Sequence, residues 1–547
     1  MASAQVFPAV IELSELDGTN GFVINGESAI DLAGISVSHA GDLNGDGIDD
    51  VIVGALLSDV NGTNSGRGYV LFGSDQAQPS VVELSSLNGL NGFALNGENP
   101  FDYAGGAVSS AGDINGDGLS DLIIGARYAS PNGNESGRSY VVFGSDTGFP
   151  NPFQLSNLNG LNGFVLNGEA EDDRSGFSVG PAGDINSDGI DDLSIGAPFS
   201  DASGAYSGRG YVVFGSDSGL PNPFNLSSLN GLNGFVLNSE AANDGSSGTV
   251  QSAGDFNGDG IDDIIVSAAG SDAAASDAGR SYIVFGSDTG LPNPFNLSGL
   301  DGANGIVFNG ESENDRAGPG GSIGDVNGDG IDDVIIGAAF ADSIGMDSGR
   351  SYVVFGSQAT LMSPFELSNL NGLNGFVLNG ESPGDLAGVA NTAGDVNGDG
   401  IDDVLIGAFY ADPNGSNSGR TYVVFGSDSG LPNPFNLSSL NGFNGFVLNG
   451  EAEYDFSGGS VSTAGDFNGD GIGDIIIGAR NADPNGPSSG RSYVVFGRAS
   501  RDLAVTKTNS AAFVSTGSPT TWLIEVSNSG VSSVSDAVLT DPVPSGV

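Results

Sequence analysis

The 547-residue chain has no cysteine, one histidine, one tryptophan and one lysine. Without cysteine there is neither disulfide nor thiol chemistry, so a fold working outside the reducing cytosol must be stapled by other means. Base is scarce as well: 14 basic residues stand against 68 acidic ones, a formal charge of −54. That surface repels polyanions, which argues against nucleic acid or an anionic membrane as partner. No apolar run reaches 18 residues, so nothing in this chain is expected to insert in a membrane. The first residues, MASAQVFPAV, lack the basic stretch and apolar run of a signal peptide. Helical periodicity over ten residues and a P-loop are also missing. The lone imidazole, His39, occupies a place held elsewhere by Ser110, Pro181, Ser252, Thr392 and Thr463, and so reads as incidental. Catalysis is therefore not expected.

What the chain has in abundance is glycine, 92 residues of it, and an internal repeat. The stretch DLNGDGIDD at 42–50 recurs seven times at intervals of 70 or 71 residues. Position 1 is always Asp (Asp42, Asp113, Asp184, Asp255, Asp325, Asp395, Asp466), and position 3 is always Asn (Asn44, Asn115, Asn186, Asn257, Asn327, Asn397, Asn468). Position 5 is again Asp (Asp46, Asp117, Asp188, Asp259, Asp329, Asp399, Asp470), as is position 9 (Asp50, Asp121, Asp192, Asp263, Asp333, Asp403, Asp474). Position 7 offers a backbone carbonyl from Ile48, Leu119, Ile190, Ile261, Ile331, Ile401 or Ile472. Position 8 reads Asp49, Ser120, Asp191, Asp262, Asp332, Asp402 and Gly473, and is free by comparison.

Oxygens on every second residue of a short loop suit a hard cation that accepts six to eight of them, and position 6 is always the glycine a sharp turn needs. These residues predict about seven bound Ca2+, one per repeat, with Mg2+ the weaker candidate. An EF-hand is excluded, because position 12 is Val53 in the apolar run that follows, where a bidentate Glu would be required. The loops hold 26 of the 68 acidic residues, and seven dications would reduce the net charge to about −40.

Each repeat contains four strand-like pieces. In the third repeat they are GFVLNGE at 163–169, GFSVG at 176–180, the run after the metal loop, and SGRGYVVFG at 207–215. Four strands in each of seven units predict an all-β, seven-bladed propeller, whose small radial sheets leave no long edge exposed. The last unit has three such pieces and the chain opens with a spare one at 21–27, so pairing of this N-terminal strand with the last blade closes the ring.

The pattern GFSVGPAGDINSDGIDDLSIGAP at 176–198 resembles the FG-GAP repeat of integrin alpha-subunit propellers and of many bacterial surface proteins. The resemblance covers 7–497 and implies calcium held between the first and second strands of each blade. Beyond it, 498–547 is rich in Ser, Thr and Val; DLAVTKT and TTWLIEVSNSG read as two strands and resemble the start of a DUF11-type immunoglobulin-like domain. Only part of such a β-sandwich would be present.

Seven arginines in SGR-x-Y (Arg67, Arg138, Arg209, Arg280, Arg350, Arg420, Arg491) are expected to pair with a repeated acid such as Glu169 or Asp173. Sequons stand at Asn61, Asn134, Asn225, Asn296, Asn414 and Asn436, three of them within the repeat itself.

The function expected is that of a non-catalytic, calcium-stabilised, extracellular or cell-surface adhesion module, monomeric and integrin-alpha-like. Its protein or glycan ligand would lie on the face opposite the calcium loops, near Phe199 and Tyr206 or Phe409 and Tyr410. A structural spacer within a larger bacterial surface protein is the alternative, and a propeller hydrolase a more distant one.

Overall fold

The structure, a computed structural model, describes residues 7–318, 320–359, 361–499, 503–508 and 523–528. Among them there is no α-helix, and no helix long and apolar enough to cross a membrane. Seven five-stranded sheets form the blades of a propeller, numbered here by their metal loops from 42–50 (blade 1) to 466–474 (blade 7). Blade 3 shows the plan. Ser178–Gly183, Asp192–Ala197, Arg209–Val213 and Gly234–Asn238 run antiparallel from the axis outward, and Phe295–Asn296 adds a short parallel fifth strand at the rim.

Both faces of each central strand are apolar because each blade is packed between two others. One hydrophobic cluster fills each of the seven blade junctions. Between blades 2 and 3, for example, Ile123, Val141 and Phe164 meet Ile195, Tyr211 and Val213, all almost fully buried. The cluster between blades 7 and 1 sets Ile476 and Val494 against Val51, Val53 and Tyr69, so the ring is closed by packing as well as by hydrogen bonds.

Closure follows the expected pairing. Gly21–Asn25 is the fourth strand of blade 7, antiparallel to Arg491–Val495, with Val23 opposite Tyr493. A second latch was not expected. Val10–Glu12 runs parallel to the outer strand of blade 6, and Phe7 just before it stacks on Phe446 at 4.2 Å. The fifth strands correct the four-strand reading of the repeat: most are two residues long, too short for a period of two to show. Beyond the ring, Leu503–Thr508 and Leu523–Asn528 pair antiparallel, as the two strands read there predict. The rest of the proposed sandwich lies outside the described residues.

Candidate metal centres and the opposite face

Every blade turns its metal loop to one end of the disc and the connection between its second and third strands to the other, since the second strand runs from one to the other. At the metal end the loop is wound around its first residue. Asp42 Oδ1 accepts the N–H of Gly45 and Asp46 at 2.7 and 3.0 Å, and Oδ2 accepts that of Gly47 at 2.8 Å. Asp46 in turn accepts from Ile48 at 3.0 Å. Gly47 has φ +85°, and its six equivalents lie between +85° and +88°, with open space where a Cβ would go. Its invariance is thus a matter of backbone conformation rather than room.

The position 9 carboxylates are completely buried. Asp50 accepts the N–H of Leu43 (3.1 Å) on one oxygen and that of Gly73, just beyond the third strand, on the other (2.9 Å). All seven blades repeat this second bond. Burial pushes these carboxyls up to about 8 in blades 1 to 5 and well above the usual range in blades 6 and 7; backbone N–H groups oppose the shift, and the charges at positions 5 and 1 add to it.

Among the described residues no Lys or Arg forms an ion pair with these carboxylates. Nor do three His, Cys, Asp or Glu side chains converge closely enough to hold a metal without other donors. The set becomes adequate only when the position 3 amide oxygen and the position 7 carbonyl are included. The Nδ2–H of Asn115 donates to Asp121 at 3.4 Å, which keeps the position 3 amide beside the position 9 carboxylate. Carboxylate, amide and carbonyl oxygens at a buried, uncompensated negative charge fit a hard divalent cation.

Position 8 is not free. Asp191 accepts the N–H of Asp113, position 1 of the preceding loop, and Asp262, Asp332, Asp402 and Asp49 do the same one blade on, at 2.7–3.1 Å. Each Asp closes on a glycine before the preceding loop: a Cβ on Gly112 would lie 2.3 Å from Asp191 Oδ2. The belt of side-chain bonds is interrupted at Ser120 and Gly473, where only a backbone N–H reaches the neighbouring loop, at 3.2 and 3.1 Å. His39, read as incidental, lies 3.4 Å from Asp49 and holds its carboxyl below the usual range.

At the far end the arginines do meet the repeated glutamate. Arg209 Nη1 lies 2.5 Å from Glu169, and its Nε donates to Asn238. Glu169 follows the outer strand of blade 2 while Arg209 opens the third strand of blade 3, so the pair ties adjacent blades. Seven such pairs encircle the disc; Arg67 with Glu27 spans the closure, and Arg138–Glu98, Arg280–Glu240, Arg350–Glu311, Arg420–Glu381 and Arg491–Glu451 complete the set. In blades 1 to 6 a buried tyrosine hydroxyl donates to the same carboxylate, Tyr211 at 3.2 Å in blade 3.

The expected aromatic residues stand at this end too. Phe199 packs edge-on to Tyr206, which is 57% exposed, and Phe409 lies 4.7 Å from Tyr410. The arginines stacked on them were not foreseen: Arg174 lies 4.7 Å from the centre of Phe199, and Arg480 5.8 Å from that of Phe409.

Comparison with known proteins agrees with this architecture. The FG-GAP repeat model matches residues 33–71, 104–142, 175–213, 247–284, 317–354, 387–424 and 457–495, each running from the inner edge of a blade to the end of its third strand. Integrin alpha-5 of Xenopus laevis is 30% identical over 270 residues, 48% of this chain and 22% of that protein. Integrin alpha-4 of the same species is 28% identical over 247 residues, 45% of this chain and 21% of its own. Phosphatidylinositol-glycan-specific phospholipase D of Rattus norvegicus is 39% identical over 123 residues, 22% of this chain and 14% of the enzyme. The chain thus spans less than a quarter of the length of each of these relatives. It is a seven-bladed, integrin-alpha-type β-propeller that carries one FG-GAP repeat in every blade.

Proposed function

We propose that this chain is a non-catalytic ligand-binding or adhesion module, displayed outside the cell, whose disc is stiffened by about seven calcium ions. The observation that carries the reading is the buried position 9 carboxylate, repeated seven times with two further carboxylates nearby and, among the described residues, no Lys or Arg paired with it. Asp42, Asn44, Asp46, Asp50 and the carbonyl of Ile48, with their equivalents, would hold the ion; its charge would relieve the repulsion that burial magnifies. Extracellular calcium is abundant enough to fill sites of modest affinity.

Ligand binding is assigned to the far face, where the connections differ from blade to blade and offer exposed rings. Non-catalytic action is supported by the similarity to integrin alpha subunits. The match to a phospholipase D covers 14% of that enzyme. The test is metal counting on the purified chain, together with binding to matrix proteins and glycans at saturating calcium. Close to seven calcium ions and binding abolished by exchange of the far-face loops are expected. No calcium, or binding unaffected by loop exchange, overturns the reading; calcium without any binding leaves a structural spacer.

A further inference from the structure

Blade 2 departs from most of the ring at one repeat position on the far face. Directly after the second strand stands Arg127, where the other blades have Leu56, Pro198, Ala269, Ala339, Phe409 and Arg480, so the framework does not need a guanidinium there. Arg127 takes part in none of the ion pairs among the described residues, and its Nε is buried without a hydrogen-bond partner. In a chain with 68 acidic residues, an unpaired, half-buried guanidinium calls for an explanation.

Its surroundings supply one. The guanidinium lies 5.3 Å from the centre of Tyr128 and 5.0 Å from that of Phe177, which fixes its plane without using its donors. It borders an open cavity of about 720 Å3, walled by Phe101, Tyr103, Tyr128, Asn99 and Asn134. Phe101 and Tyr103 hold left-handed φ of +66° and +57°, rare for aromatic residues, and backbone bonds to Thr63 and Asn64 of blade 1 fix them there. Phe101 is 56% exposed.

The acids of the cavity have partners already. Glu135 is paired with Arg174, Asp102 is buried against Asn99, and Glu98 nearby is paired with Arg138. Arg127 therefore offers the uncommitted charge.

We propose that this cavity binds a sugar bearing a carboxylate, of the uronate or sialate class. The carboxylate would meet the planar fork of Arg127, sugar faces would lie against Phe101 and Tyr103, and Asn99 and Asn134 would bond hydroxyls. An acidic peptide fits less well. Its several charges would oppose the −54 of the chain, and the cavity offers flat rings and amides in place of a deep apolar socket. The inference rests on the far face being the binding face.

The test is calorimetric titration of the full chain at saturating calcium with 3′-sialyllactose, a glucuronate-containing hyaluronan tetrasaccharide, lactose and a Glu-rich peptide. Arg127→Ala is the variant, because Ala269 and Ala339 fill this repeat position in blades 4 and 5. A carboxylated sugar should bind at least about tenfold more tightly than lactose, and Arg127→Ala should remove that margin at unchanged melting temperature. Equal affinity for lactose, undiminished binding by Arg127→Ala, or preference for the peptide overturns the inference. If the sugars fail while matrix proteins still bind through the far-face loops, the inference falls and the broader reading stands; if nothing binds, both fall.

Discussion

The two ends of the disc carry the same sign of charge and handle it in opposite ways. At the far end each blade sets a partly exposed glutamate beside an arginine from the next blade, so the charge is matched within the protein. At the metal end each blade buries an aspartate, places two more beside it, and offers backbone N–H groups in place of a cation. One end is complete as folded; the other, on the proposed reading, takes its counter-charge from solution. A chain with 14 basic residues cannot neutralise both ends itself, and the repeat places its arginines at the end away from the loops.

The largest test of this contrast is chelation. With each site contributing about 3 kcal/mol at calcium concentrations well above its dissociation constant, removing all seven should lower the melting temperature by roughly 20 °C for a propeller of this size. Calorimetry with and without chelator reads this directly, and an unchanged transition would erase the proposed difference between the ends.

Next in size is the response to pH, whose sign should reverse with calcium. In metal-free protein the position 9 carboxyls, at about 8 in blades 1 to 5 and raised in blades 6 and 7 as well, and the far-end Asp31, Asp173, Asp315, Asp385 and Asp455, at about 6, stand above the ordinary 3.8 because of burial. The folded state then binds protons more tightly than the unfolded one, so these groups add most stability below pH 4 and lose it as pH rises through 6 and 8. Acidification from pH 8 to 6 should raise the melting temperature of chelated protein. In calcium-loaded protein it should lower it, because protons compete with the ion. Parallel slopes in the two states would count against metal binding by these carboxyls.

A smaller effect comes from breaking a pair at the complete end. Arg209→Met leaves Glu169 half-buried and unpaired, at a cost of about 2–3 kcal/mol, and should leave the calcium count unchanged. Loss of one calcium in that variant would show that the two ends are coupled. Smallest is the belt at position 8. Asp191→Ala removes one charge-assisted bond between loops and should cost about 1 kcal/mol, while Ser120→Asp should restore the missing link to Asp42 and gain a similar amount. Denaturant midpoints at saturating calcium resolve both.

Much of this was legible before the fold was known, because a motif written seven times separates required positions from free ones. The loop residues, the apolar strands and the arginine–glutamate partnership all show in that way, and the order of pieces at the two ends identifies the closing pair of strands. Position 8 was misread for the same reason. Two exceptions in seven look like freedom, yet the five aspartates bond to residues 77 or 78 positions away, or to Asp466 across the closure. The rim strands such as Phe295–Asn296 are two residues long and have no pattern to detect.

The sequence alone determined how many blades there are, which residues make the four longer strands of each and where oxygen donors gather, since these depend on local periodicity and on spacing within about ten residues. Only the tertiary structure decided which blade each side chain reaches. Glu169 serves the arginine of the next blade, Val10–Glu12 latches blade 6, and Arg127 has no ion-pair partner among the described residues beside an aromatic cavity. Those partners meet because seven twisted sheets pack face to face around an axis, and that packing joins residues far apart in the chain without leaving a mark on either stretch.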